Sequence, residues 1–183
     1  NCRFESADDY EDISTLEQYK QAVAKGHSVD SALNVCYQYS RDNARTPMQW
    51  SAEKHAGFTT GTPWFQVNPN YAQINVETDL AAEKSVFKFY KKLIALRKSP
   101  EYEEILVEGN TRPVYTEEDS IFAYERISKD DNKKVLVISN YQNLEYNFKF
   151  NHTFEEVLLN NYDNLEIKNG ELFLKPYQTV VLK

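Results

Sequence analysis

The sequence predicts an α+β chain, with a helical segment first and an all-β antiparallel sandwich after it. Three observations lead there. Apolar residues in the first half recur at helical spacing, whereas the second half breaks into short β-rich runs separated by Asp, Asn and Lys clusters. Between the helices lies a Gly-, Pro-, Asn- and Thr-rich stretch with no sustained period.

In chain order, "STLEQYKQAVAKG" places Leu16, Tyr19 and Val23 on one helical face, with Ser/Thr at its start and Gly26 as a stop. "SVDSALNVCYQYS" predicts a second helix with Ser28 as N-cap and Val29, Ala32, Leu33 and Cys36 on one face. The loop "SAEKHAGFTTGTPWFQVNPNYAQINVE" follows. Its aromatic content (Phe58, Trp64, Phe65, Tyr71) argues for an ordered, functional connection over a disordered one. "TDLAAEKSVFKFYKKLIALRKSP" is the strongest helix signal: Val86, Phe89, Tyr90, Leu93 and Leu96 form a stripe, cationic residues fill the last turn, and Pro100 ends it. Strands are expected in "SIFAYERI", "KKVLVISNY", "NLEYNFKF", "FEEVLLNNY" and "TVVLK". In "LEIKNGELFL", Asn169-Gly170 marks a two-residue type I′ hairpin turn. The total is seven or eight strands, suited to an antiparallel sandwich. The three helices need a surface to bury against, and no strand of the first half offers one.

Composition narrows the partners. Residues 1–99 carry twelve acidic and twelve basic side chains, so the whole net charge of −7 falls on residues 100–183. An acidic second half argues against nucleic acid or an anionic membrane as partner, since both reward clustered Lys and Arg. No apolar run approaches the ~18–20 residues that cross a bilayer. Cys2 and Cys36 are far apart, and His27, His55 and His152 are scattered, so neither a zinc-type ligand set nor any cofactor motif is expected. Free thiols suit a reducing compartment, and a cytoplasmic location is expected. The chain opens on Asn1 and its single methionine is Met48, so a piece of a longer protein is expected.

The motif "SRDNARTPMQW" sets Arg41 and Arg45 four residues apart, just before Pro47 and Trp50. Guanidinium groups offer five donors in a planar fork and stay charged at any working pH. Such donors beside aromatic walls suit a polyhydroxylated ligand, whose vicinal hydroxyls accept paired hydrogen bonds. The alternative is that both arginines pair with Asp42 or with upstream carboxylates and only pin the loop. Core packing is expected for Trp50 and Trp64, with sugar stacking as the alternative. His55 has no Ser, Cys or carboxylate arranged around it as a triad.

"SRDNARTPMQWSAEKHAGFTTGTPWFQVNPNYAQINVE" followed by "SVFKFYKKLIALRKS" closely resembles the C-terminal part of the α-glucosidases of the α-amylase family. Oligo-1,6-glucosidases stand nearest, with dextran glucosidases and trehalose-6-phosphate hydrolases beside them. "DDYEDISTLEQYK" resembles the segment that those enzymes carry after the eighth barrel strand, and the β-rich tail is similar in pattern to their C-terminal domain. The resemblance implies that the helical segment is the end of a (β/α)8 barrel. Residues 1–99 would then belong to that barrel and residues 100–183 to the β-domain. Asn1 would lie at the end of strand eight, Ser40–Glu77 in the loop region after it, and Ala81–Lys98 in helix eight.

The family implies retaining exo-hydrolysis of α-1,6-linked or related glucosides from the non-reducing end of oligosaccharides. An aspartate attacks the anomeric carbon and a glutamate protonates the leaving oxygen, their carboxyls about 5–5.5 Å apart. Those acids, and a further sugar-gripping aspartate, come from strands four, five and seven of the family barrel. This chain would therefore hold no catalytic residue, no metal and no cofactor, and would be inactive alone. What carries over is substrate binding: Arg41 matches the arginine that helps hold the non-reducing terminal glucose, and Arg45 one near the leaving-group sugar. The expected partners are an oligosaccharide and the remaining barrel portion. The rival class is a non-catalytic carbohydrate-binding or purely structural β-sandwich module.

Overall fold

A computed structural model describes residues 2–183, which divide into two compact units, one ending at Ser85 and the other Val86–Lys183. In the first, α1 (Ile13–Ala24) packs against α2 (Val29–Tyr39). The expected cap is present: the Ser28 hydroxyl accepts from the Ser31 amide at 3.2 Å. Leu16, Tyr19 and Leu33 pack on a buried cluster of Cys2, Phe4, Tyr10, Cys36 and Phe65. Phe4 binds that cluster edge-on, 4.8 Å from Tyr10 and 5.3 Å from Phe65 between ring centroids. Both cysteines are buried and free, and burial pushes their thiols up.

The long loop is ordered by its own backbone. The amides of Trp50 and Ser51 donate to the carbonyl of Ala56, and those of Val76 and Glu77 to the carbonyls of Gln49 and Trp50. The Gln49 side chain joins the loop's two ends through Asn70 and the Ile74 carbonyl. Short 3-10 turns punctuate it at Lys54–Gly57 and Pro69–Ala72.

The helix expected over Ala81–Lys98 is α4 (Val86–Arg97), which starts later, and the opening of the helix signal read in "TDLAAEKSVFKFYKKLIALRKSP" belongs to a separate helix, α3 (Val76–Ala81). Asn75 caps α3 by accepting from the Thr78 amide at 2.8 Å, and Ala82 leaves the helix in extended geometry (φ −65°, ψ 142°). The Ser85 hydroxyl donates to Asp79 at 2.8 Å across the break. Side-chain periodicity runs through this break because it does not register where backbone bonding stops. On α4, Leu96 packs on the cluster of Tyr102, Ile105, Val135, Leu159 and Val181. Val86, Phe87, Tyr90 and Ile94 are exposed, at 49–68% of their surface.

The second unit contains two antiparallel sheets. One has the order β1 (Asn110–Pro113), β2 (Ile121–Ile127), β3 (Lys134–Asn140), β8 (Thr179–Leu182), β5 (Val157–Asn160); the other has β4 (Tyr146–Lys149), β7 (Glu171–Leu174), β6 (Glu166–Lys168). Their inner faces share one core: Ile121, Ala123, Leu136, Ile138, Val180 and Leu182 from the first meet Phe148, Leu172 and Leu174 from the second. Full burial of such side chains stabilises by about 1.5–3 kcal/mol each. Strand β3 is covered on both faces, with Leu136 and Ile138 in that core and Val135 in the cluster beside α4. The β6–β7 hairpin turns on Asn169 and Gly170 with φ of 54° and 79°, the left-handed pair that a type I′ turn requires. The fold class read from the sequence, helices and then an antiparallel two-sheet domain, is the observed one.

Candidate functional site

Ser40 ends α2 and begins a 3-10 turn over Arg41–Ala44, its hydroxyl accepting from the Asp42 amide at 3.2 Å. Thr15, on α1, donates its hydroxyl to Asp12 at 2.7 Å and sits 3.1 Å from the Ser40 hydroxyl. Asp42 points inward and is completely buried. One of its carboxylate oxygens accepts from the backbone amides of Glu11 at 2.8 Å and Asp12 at 2.9 Å; the other accepts from the Arg45 guanidinium at 3.1 Å. Three donors, one of them charged, offset the desolvation that a buried carboxylate would otherwise suffer.

The two arginines read from the sequence therefore differ in state. Arg45 is held by Asp42 and lies 4.0 Å from Asp12, with 37% of its side chain still exposed. The pairing weighed as the alternative is present for this residue. Exposure of that order limits its stabilising value, so the contact acts mainly on geometry. Arg41 is exposed, and its side chain makes no hydrogen bond or ion pair among the described residues. Both guanidiniums act on Asp12: its carboxyl lies below the usual aspartate range, first because Thr15 donates to it, and further because Arg45 and Arg41 add positive charge nearby.

Trp50 and Trp64 are not core residues. They are 51% and 65% exposed, and core packing falls to Phe65, which tilts against Trp64 at 5.1 Å and is 4% exposed. The loop beside them passes through a left-handed run at His55, Ala56 and Gly57 (φ 57°, 58°, 64°), and Ala56 is fully buried. Sequence reasoning did not single out Asp12, Thr15 or Ser40 as the support of this site. Their partners lie 25–31 positions away along the chain, which local spacing does not register.

A second polar cluster lies in the β unit. Glu125 occupies an inward position of β2, in alternation with Ile121, Ala123 and Ile127, and is buried. Arg112 Nε donates to it at 2.7 Å, and His152 Nε2 lies 3.3 Å away. The other ring nitrogen of His152 is 2.6 Å from the Tyr115 hydroxyl, which accepts from the Asn151 amide at 3.0 Å. The order phenol, imidazole, carboxylate resembles a nucleophile relay. Burial, however, pushes the Tyr115 hydroxyl up, away from the phenolate that attack would need. The cluster is read as a polar clasp between β1, β2 and the segment after β4.

Residues 10–109 match the family described as alpha amylase, catalytic domain, and residues 121–181 match the alpha-amylase SusG C-terminal domain. The chain belongs to the α-amylase family, as its C-terminal portion. It is 43% identical over 191 aligned positions to an oligo-1,6-glucosidase of Bacillus cereus, a match covering 100% of this chain and 33% of that protein. The crystal structure of Bacillus licheniformis trehalose-6-phosphate hydrolase superimposes with a TM-score of 0.87 at 34% identity, covering 100% of this chain and 33% of the other. An isomaltulose synthase from Klebsiella sp. LX3 does so at 0.84 and 31%, with the same coverage. The chain thus spans about a third of the length of the relatives it matches. No helix among the described residues is long and apolar enough to cross a membrane.

Proposed function

We propose that this chain is the C-terminal part of a retaining exo-α-glucosidase that cleaves α-1,6-linked or related glucosides at the non-reducing end of oligosaccharides. Residues 1–99 supply the end of its barrel and residues 100–183 its β-domain. The observation that carries this reading is the "SRDNARTPMQW" turn. There Arg45 is clamped from below by Asp42 while Arg41 is left with its donors unspent, in a chain aligned over its full length with an oligo-1,6-glucosidase. Arg41 then holds hydroxyls of the terminal glucose, and Arg45 faces the leaving-group sugar. Hydroxyls that fail to meet such donors leave charge unpaired, which makes arginines strong discriminators.

The nucleophile and the acid belong to the barrel portion outside this chain, so chemistry needs the whole protein. The exposed side chains of Val86, Phe87, Tyr90 and Ile94 on α4 give the apolar stripe that a barrel helix turns towards its neighbours. Two buried free thiols fit a reducing compartment, and we place the enzyme in the cytoplasm.

The full-length protein incubated with an aryl α-glucoside, which yields a single glucose per turnover, should release that glucose first as the α-anomer, observed by proton NMR. The purified 183-residue chain should release none. Turnover of an aryl α-glucoside by the chain alone, or release of the β-anomer by the full-length protein, contradicts this reading.

A further inference from the structure

We infer that Asp42 is a positioning residue for Arg45: a buried strut that aims the guanidinium at the leaving-group sugar without touching substrate itself. The inference rests on the function proposed above. Asp42 divides its carboxylate between two tasks. One oxygen binds two consecutive backbone amides, Glu11 and Asp12, which fixes the carboxylate to the segment entering α1; the other holds Arg45. Its own amide is tied to Ser40, and Ser40 to Thr15, so the strut is anchored at both ends by side chains that are themselves buried.

Nothing else among the described residues holds the Arg45 guanidinium at hydrogen-bond distance, Asp12 standing off at 4.0 Å. An arginine side chain has many rotamers, and preorganising it avoids the entropy of ordering it when ligand arrives. A carboxylate already bound to two amides is a better anchor than a surface acid, because it has no freedom of its own.

The test uses Asp42→Asn in the full-length protein. The asparagine oxygen can still accept from the two backbone amides, but its NH2 group then faces the guanidinium donor to donor, so the loop keeps its tie while Arg45 loses its guide. The expected result is selective. kcat/KM for isomaltose, whose leaving group is a sugar, falls by about tenfold or more, the order of one lost charged hydrogen bond. For an aryl α-glucoside, whose leaving group lacks those hydroxyls, it changes by less than about threefold on the same scale. Combined with Arg45→Ala, Asp42→Asn should add no further loss, since a strut without its load does nothing. If Asp42→Asn fails to fold, the smaller Asp42→Ser keeps an acceptor but cannot reach the guanidinium, and should show the same selectivity.

Equal losses on both substrates, or none on either, overturn the positioning role if Arg45→Ala alone is selective; the proposed function then stands. If Arg45→Ala shows no selectivity, Arg45 does not face the leaving-group sugar, and both that assignment and the strut fall together.

Discussion

Asp12 shows how the buried support of the arginine turn becomes measurable. Its carboxyl is held below the ordinary aspartate value of 3.8, chiefly by the Thr15 hydroxyl and then by the charges of Arg45 and Arg41. A group with a depressed folded value binds protons more weakly folded than unfolded. Its stabilising contribution is therefore complete above pH 3.8 and disappears as the pH falls through the lower folded value. Thr15→Val removes the main cause. Denaturant unfolding of wild type and Thr15→Val should differ near neutral pH, and the difference should shrink below pH 3.8; a gap independent of pH contradicts the assignment. Arg41 and Arg45 were legible in the sequence because two guanidiniums beside a proline and a tryptophan form a local pattern. Their different states were not, since the acid that separates them is fixed by amides about thirty residues upstream.

The elements divide along the same line. The Asn169-Gly170 hairpin and the helix cap at Ser28 were readable because each is a contract between neighbours. Strand β1 was not anticipated: Asn110–Pro113 is exposed at every position, so it has no alternation, and it is a strand only because β2 offers an open edge to pair with. The break between α3 and α4 escaped for the reason already given. Gly109, where a π-helical turn (Glu104–Glu108) hands over to β1, is another position fixed by tertiary approach. A Cβ there would meet the Ile105 carbonyl oxygen and come within 2.6 Å of that of Ile127, both backbone atoms that cannot rotate away. Gly109→Ala should destabilise the β unit by about 1–3 kcal/mol, the usual cost of overpacking. A denaturant midpoint unchanged from wild type would contradict that close approach.

For the whole molecule, the sequence carried the family and the two-part architecture, because both rest on long motifs and on hydrophobic periods that any local reading can detect. The chemistry was less legible: the chain spans about a third of the relatives it matches, and in the function proposed above the reacting acids lie in the barrel portion. Under the proposed function the chain contributes one wall of a sugar pocket: an arginine free to bind, an arginine braced to discriminate, and a buried polar support beneath them. Arg41 is the cleanest probe of that wall, since its side chain has no partner among the described residues and its removal should leave the fold intact. The decisive measurement is kcat/KM for isomaltose in the full-length protein carrying Arg41→Ala, taken beside its thermal midpoint. The expected loss is equivalent to about 1.5–3 kcal/mol, the range for hydrogen bonds to a charged group, with the midpoint little changed because Arg41 is the smallest of the causes that lower the Asp12 pKa. An unaltered kcat/KM would contradict it, because the exposed arginine would then face no sugar at all.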